Sequence, residues 1–166
     1  MKRRLILFLT AAMLFARTVN ANPADVSIQF VSPEKFTDFH IYGLDVQWSA
    51  LFFANHISGD LKPILDGRFP GNKLTLRFTD INLAYNYRVS VRGVRGVRVV
   101  RSPIAPERML VLFLLQDRNG RTLASGSTGI ADTSSHNALA RQRSGSELIY
   151  YEEQMLERWL KSVTPS

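Results

Sequence analysis

Residues 108–116 read RMLVLFLLQ, an apolar run of strand length. A strand that lacks polar alternation is typical of one covered on both faces. The turn DRNG at 117–120 and the segment RTLASGSTG follow it, and together they predict a β-hairpin. We therefore expect a sheet with this hairpin at its centre.

Other segments predict the remaining strands. DVSIQFV at 25–31 and KLTLRF at 73–78 alternate apolar with polar residues, as half-buried strands do. Two valine-rich runs within YRVSVRGVRGVRVVR at 87–101 are separated by glycines, which indicates a hairpin or an irregular edge. The expected sheet has about five strands and is mostly antiparallel.

Two main helices complete the prediction. Asp45 is a plausible N-cap for a helix from Val46, with a kink or split between Gly59 and Pro63. Ser146 is a plausible cap for a final helix. The residues expected on the apolar side of the first helix are Leu51, Ala54, Ser58, Leu61 and Leu65. Those expected on the apolar side of the second helix are Leu148, Tyr151, Met155, Trp159 and Val163. Helices on one face of such a sheet make a two-layer α+β fold.

The first 21 residues have the layout of a secretory signal peptide. A basic start is followed by an apolar stretch from Leu5 to Phe15 and by the small-residue site Val19-Asn20-Ala21. The stretch is about half of the ~20 residues that a membrane-spanning helix needs, so we expect cleavage and no transmembrane segment afterwards. The domain plan is a signal peptide at 1–21 and one α+β domain at 22–166.

Cleavage changes the charge of the chain. The whole sequence has 21 basic and 14 acidic residues, a net charge of +7. The leader removes four basic residues (Lys2, Arg3, Arg4 and Arg17) and no acid, so 17 basic residues remain and the net charge becomes +3. The absence of cysteine excludes lipidation of an N-terminal cysteine and disulfide bonds. We expect a periplasmic protein that is not a lipoprotein.

Catalytic signatures are weak. Ser32 and Lys35 have the Ser-x-x-Lys spacing, and Ser135-His136-Asn137 resembles the second motif of penicillin-recognising enzymes, but the Lys-Thr-Gly motif is absent. The three histidines are far apart and have no cysteines to complete a zinc site. No cofactor is implied.

One loop carries a candidate polar cluster. Glu34, Asp38, His40 and Asp45 all lie between the first strand and the first helix. Carboxylates and an imidazole in one loop could hold a metal or act in acid–base chemistry. The alternative is that they cap helices and face solvent.

Five arginines form a candidate anion-binding segment, namely Arg88, Arg92, Arg95, Arg98 and Arg101. A guanidinium group suits phosphate and carboxylate. The short, valine-rich context argues against nucleic acid and leaves two interpretations, an anionic membrane surface or a charged strand edge that prevents aggregation.

Several segments together resemble the bacterial exported proteins grouped as domain of unknown function 3016. They are FVSPEKFTD, LTLRFTDINLA, VRVVRSPIAPERMLVLFLL, GRTLASGSTGIAD and YYEEQMLERWL. The positions that match most recognisably are Pro33, Glu34, Phe36, Asp38, Asp80, Tyr151, Glu152 and Trp159. That family tends to carry aspartate at the position of Asn82 and glycine at that of Tyr85.

The resemblance implies no activity and no catalytic residue. The sequence therefore favours a non-catalytic protein that binds an envelope ligand or another envelope protein. One alternative is an envelope hydrolase or metal-dependent enzyme that uses Glu34, Asp38 and His40. The other is a binder of anionic lipid or lipopolysaccharide that uses residues 88–101.

Overall fold

The computed structural model describes residues 23–41, 44–83, 85–88, 97–100, 107–131 and 149–163. For residues 85–88 and 97–100 it describes the backbone alone. The strands are β1 (Asp25–Phe30), β2 (Lys73–Asn82), β3 (Tyr85–Arg88), β4 (Val97–Val100), β5 (Arg108–Gln116) and β6 (Thr122–Ala131). The helices are α1 (Val46–Arg68) and α2 (Tyr150–Ser162), and a short 3-10 helix spans Pro33–Lys35.

Four strands form the main sheet, in the order β1-β2-β5-β6. β1 pairs parallel to β2, from Asp25 opposite Lys73 to Phe30 opposite Phe78, and α1 makes the connection between them. The β2–β5 and β5–β6 pairs are antiparallel. β3 and β4 form a separate two-stranded sheet, so the predicted α+β class is confirmed, with four strands in the main sheet rather than about five.

The expectation that the β5–β6 hairpin would be central and covered on both faces is wrong in two respects. β5 is internal, but β6 lies at the edge of the sheet. Leu110 and Leu112 on β5 are 41% and 40% exposed, which shows that one face of β5 is open within the described part of the chain. An apolar run shows the composition of a strand but not which strands lie beside it. It therefore does not predict the order of the strands in the sheet.

The first helix begins where the sequence predicted. The Asp45 side chain accepts a hydrogen bond from the Trp48 N–H at 2.8 Å and caps α1. Gly59 and Pro63 do not split the helix. Proline at position i conflicts with the carbonyl of residue i−4, which here is Gly59, the residue with the most backbone freedom.

The buried face of α1 matches the predicted one at Leu61 and Leu65 and differs from it in the first half of the helix. It contains Ser49, Phe53, Ile57, Leu61 and Leu65, whereas Leu51 is 49% exposed. Two interleaved apolar series run along this helix, and contact with β1 and α2 selects the one that faces the core.

An aromatic cluster joins α1 to the parallel strand pair. The Phe53 ring lies 6.0 Å from that of Phe30 and 5.4 Å from that of Phe78, between centroids. Phe36 and Phe39 from the β1–α1 loop complete the cluster, at 6.4 and 5.5 Å from Phe30. Offset and edge-on ring pairs stabilise the fold beyond the contribution that burial of the rings makes.

The second helix packs beside α1 and β6. Arg68, the last residue of α1, donates to the carbonyl oxygens of Leu160 at 2.9 Å and Val163 at 3.3 Å. These carbonyls lie at the C-terminal end of α2, where helix carbonyls lack intrahelical partners. Arg68 therefore fastens the ends of both helices together. The proposed cap Ser146 lies outside the described residues.

At the start of the described chain, the Ala24 N–H donates to the Asp66 carboxylate on α1 at 2.9 Å, and Ala24 is fully buried. The predicted signal peptide lies outside the described residues. Neither described helix combines the length and the apolar character required to cross a bilayer.

Candidate functional site

The β1–α1 loop, defined as residues 31–41 and 44–45, runs along the far end of β2. The Asp38 N–H donates to the Ile81 carbonyl at 3.1 Å, and the Leu83 N–H donates to the Asp38 carbonyl at 2.9 Å. Asp38 thereby forms an isolated parallel bridge with Asn82. The buried hydroxyl of Ser49 accepts a hydrogen bond from the Ile41 N–H at 3.1 Å. Backbone pairing therefore holds this loop against the sheet, and the Ser49 hydroxyl holds it against α1.

Asp80 on β2 fastens the same loop with its side chain. One carboxylate oxygen accepts from the Thr37 N–H at 2.8 Å, and the other accepts from the Thr37 hydroxyl at 2.9 Å. The Arg108 guanidinium on β5 lies 3.6 Å from the second oxygen. Asp80 sits at an irregularity in the β2–β5 register, which follows Phe78.

The four residues of the predicted polar cluster have separate surroundings. Glu34 is exposed on the 3-10 helix, Asp38 is half-buried in the bridge to β2, His40 is exposed, and Asp45 caps α1. Among the described residues, no group of three histidine, aspartate or glutamate side chains could hold a metal ion. The enzyme alternative for this loop stays a hypothesis.

The predicted anion-binding arginines lie outside the part of the chain whose side chains are described. Arg88 and Arg98 belong to β3 and β4, which pair antiparallel. β3 ends before the first valine-rich run and residues 89–96 lie outside the described residues, so the predicted hairpin or irregular edge stays a prediction. Arg92, Arg95 and Arg101 lie outside the described residues. Anion binding by this segment therefore stays a prediction.

A groove lies between the last residues of β6 and one side of α2. It has a volume of about 300 Å³ and is open to solvent. Residues 129–131 form its strand side, and Met155, Arg158, Trp159 and Ser162 form its helix side. The helical spacing of these four residues places them on one face of α2.

The groove combines an apolar wall with one positive charge. Met155 is buried and Trp159 is half-buried, whereas Arg158 is exposed. Among the described residues that line the groove there is no carboxylate, and none of the described hydrogen bonds or ion pairs involves the Arg158 guanidinium. The groove therefore suits a ligand that is apolar in one part and anionic in another.

The sheet beneath the groove holds the Trp159 ring in place. The Trp159 ring meets the Phe113 ring edge-on, with centroids 5.2 Å apart. Gly126 lies opposite Phe113 in the β5–β6 register, and a Cβ atom there would come within 3.1 Å of the Phe113 ring. Glycine at this position lets the Phe113 ring lie across β6 and support the indole.

A carboxyl pair joins α1 to α2 on another side of the second helix. Burial raises the pKa of Glu153 to about 7, and the charge of Asp60 and a hydrogen bond with it act in the same direction. Glu152 and Glu157 add smaller contributions of the same sign. Glu153 therefore holds its proton in the folded protein at pH values where free glutamate has lost it.

The sequence alone does not predict this groove. It places Trp159 and Met155 on the apolar side of the last helix, which the structure confirms for Met155, whereas Arg158 and residues 129–131 carry no signal of a site. The one available signal is the uncharged segment ASGSTGIA, which the sequence pattern assigns to a central hairpin. Only the strand order places it at an edge beside α2.

Comparison with known proteins supports the resemblance found in the sequence. A family model described as "Protein of unknown function (DUF3016)" matches residues 24–162. A search of curated proteins found no match. The family match extends from buried Ala24 to the end of α2 and so includes the loop, the sheet and the groove. The chain belongs to the DUF3016 family of proteins of unknown function.

Proposed function

We propose that this chain is exported to the periplasm and acts there as a non-catalytic protein that binds another component of the cell envelope. In this proposal residues 1–21 are the signal peptide and residues 22–166 form the mature domain. The basic start, the apolar stretch and the Val19-Asn20-Ala21 site support export.

The groove between β6 and α2 is the observation that carries the binding role. It offers an apolar surface, an exposed guanidinium and a strand edge within one small area. Such a combination of an apolar surface with a few polar groups is typical of ligand and peptide sites.

Polar residues of the β1–α1 loop, together with Asp80 on β2, support a structural role for that region. Asp45 caps α1, Asp80 holds Thr37, and the Asp38 backbone pairs with β2. Each contact connects the loop to the rest of the fold. The loop therefore serves well as a rigid part of a binding protein.

Native mass spectrometry of the chain recovered from periplasm tests the proposal. We expect a polypeptide that begins at Asn22, together with a complex that contains a second polypeptide. A photo-crosslinking residue in place of Ser162 should react with that partner, whereas the same residue in place of exposed Gln47 on α1 should not.

The same measurement separates the alternatives. A bound metal ion that is lost on substitution of Asp38 and His40 would support an enzyme centre in the loop instead. Bound anionic lipid that is lost on substitution of Arg92, Arg95 and Arg98 by glutamine would support the arginine segment. A chain that retains residues 1–21 in the recovered protein would contradict export with cleavage.

A further inference from the structure

The groove between β6 and α2 is short. Three strand residues and about two turns of helix form its sides, and each side is roughly 10 Å long. Its volume of about 300 Å³ lies at the small end of the range for ligand sites. The groove therefore has room for one large side chain together with the backbone atoms around it.

Arg158 brings an unpaired positive charge to this groove. No acidic side chain lies three or four positions from it, where a helix places ion-pair partners. The residues at those positions are Gln154, Met155, Lys161 and Ser162. The neighbouring cation, Lys161, pairs through its Nζ with Glu157 at 3.2 Å. Within the described part of the chain, the Arg158 guanidinium therefore keeps its donors available for a ligand.

The apolar wall beside Arg158 is rigid. Met155 is buried, and the Trp159 ring packs edge-on against the Phe113 ring at 5.2 Å between centroids. A rigid wall binds an apolar side chain without an entropic cost for its own ordering. Tryptophan and arginine are also the residues that most often dominate the binding energy of protein interfaces.

This compact arrangement favours the end of a chain over an internal segment. The guanidinium and the apolar wall lie within one turn of each other on α2. At the C-terminus of a polypeptide, the α-carboxylate and the last side chain are attached to the same Cα atom. In an extended internal segment, an acidic and an apolar side chain on the same face lie about 7 Å apart. A chain end therefore brings both groups into the space of a single residue.

The number of charges argues against a membrane surface as the occupant. Segments that bind anionic lipid carry clusters of basic residues. Among the described residues that line the groove, Arg158 is the one basic residue. A single carboxylate is enough to match it.

We propose, on the basis of the binding function proposed above, that the groove binds the C-terminal residue of another polypeptide, an apolar residue whose α-carboxylate pairs with Arg158. The side chain of that residue lies against Met155 and Trp159. A guanidinium and a carboxylate can form two parallel hydrogen bonds, and capture of a C-terminal carboxylate is a recurring mode of peptide recognition. The contact requires no backbone pairing with β6.

Selection from a library of peptides displayed with free C-termini tests the proposal, with the chain recovered from periplasm as the immobilised protein. We expect enrichment of a large apolar residue at the last position. A synthetic, fluorescein-labelled version of the most enriched peptide then serves as the probe in fluorescence anisotropy.

Changes to the probe test the role of the chain end. The C-terminal amide of the probe lacks the charge and should bind about tenfold more weakly, the usual effect of losing a charge-assisted hydrogen bond. Two glycines added after the apolar residue move the carboxylate away from it and should weaken binding by a similar factor. Serine in place of the last residue should also weaken binding, because it leaves the apolar wall exposed to water.

Changes to the protein test the role of Arg158. Arg158→Gln should weaken binding of the free-acid probe about tenfold. The same variant should bind the amide as well as the unsubstituted protein does, since the amide has no carboxylate to pair. Arg118→Gln is the matched control, because Arg118 is an exposed arginine in the turn at the other end of β6 and should leave both affinities unchanged. Circular dichroism of each variant checks that the fold is retained.

Three results would overturn the inference. They are a selection that enriches no apolar last residue, equal affinity for the free acid and the amide, and an equal effect of Arg158→Gln on both probes. Displacement of the probe by N-acetyl-leucine at the same concentration as by the unlabelled peptide would assign the groove to a small carboxylic acid instead. A partner that still crosslinks at position 162 after residues are added to its own C-terminus would keep the proposed function and discard this inference.

Discussion

Asp80 accepts two hydrogen bonds from Thr37, one from the backbone N–H at 2.8 Å and one from the hydroxyl at 2.9 Å. Asp80→Ala removes both and frees the β1–α1 loop from β2. We expect a loss of about 2 kcal/mol in the free energy of unfolding, measured by urea denaturation. Arg108→Gln should cost no more than about 0.5 kcal/mol, since its contact is long and exposed. Equal losses in both variants would show that the ion pair, and not the Thr37 bonds, stabilises this region.

The capping role of Asp45 separates it from its neighbours in the loop. Asp45→Ala should lower the free energy of unfolding by about 1 kcal/mol, because the Trp48 N–H loses its partner. Glu34→Ala and His40→Ala should each change it by less than about 0.5 kcal/mol, since both side chains are exposed. Titration of these two variants with zinc, followed by thermal melting, checks the metal hypothesis. If zinc raises the melting temperature of the unsubstituted protein and of neither variant, the result would support the metal hypothesis.

The raised pKa of Glu153 makes stability depend on pH. The folded-state pKa of about 7 exceeds the ordinary 4.5, so the folded state holds a proton that the unfolded state has released between these values. Stability from this group is therefore present in full below about pH 4.5 and is lost as pH rises to about 7. Below that window, Glu153→Gln should change the free energy of unfolding little.

At pH 8 the Gln variant should be more stable than the unsubstituted protein by about 1 kcal/mol, a value reduced for solvent screening of a half-exposed carboxyl. Urea denaturation at pH 4.5, 6 and 8 measures the difference. Glu34→Gln is the control, because it removes an exposed carboxylate from the β1–α1 loop, on a different part of the chain. A constant difference at all three pH values would contradict the assignment to Glu153.

Two glycines of β6 provide a matched pair for the support of Trp159. Gly126→Ala places a methyl group 3.1 Å from the Phe113 ring, which Trp159 prevents from moving away, so we expect a loss of about 1 kcal/mol and a shift in Trp159 fluorescence. Gly129→Ala meets only Leu110 at an ordinary 3.5 Å and should be tolerated. Fluorescence is measured in a Trp48→Phe background, because Trp48 is 60% exposed. An unchanged spectrum in Gly126→Ala would show that Trp159 does not depend on this packing.

Local signals predicted local structure well. The apolar run at 108–116 and the DRNG turn define β5 and the hairpin, since Asp117 accepts from the Asn119 and Arg121 N–H groups at 2.8 and 2.9 Å within the turn. The Asp45 cap likewise depends on residues three positions apart. Such contacts involve only neighbours in sequence, which a sequence pattern contains in full.

Properties that depend on distant neighbours were not predicted. Leu51 looked as suitable for the core as Phe53, and only the position of β1 and α2 distinguishes them. The groove joins residues 129–131 to Arg158 and Trp159, which belong to separate segments of the sequence. Its existence follows from the place of β6 at the edge, which no pattern within β6 reveals.

The parallel pairing of β1 with β2 imposes an order on folding when the chain becomes available from its N-terminal end first. Asp25 pairs with Lys73, so 48 residues must follow before β1 meets its partner strand. Until then Phe30 lacks both Phe53 and Phe78, which later cover it. The β5–β6 hairpin, by contrast, closes through a turn of a few residues and can form at once. The newly emerged N-terminal third of the chain is therefore the part that most needs protection from aggregation, and a chaperone that acts on this protein should bind there.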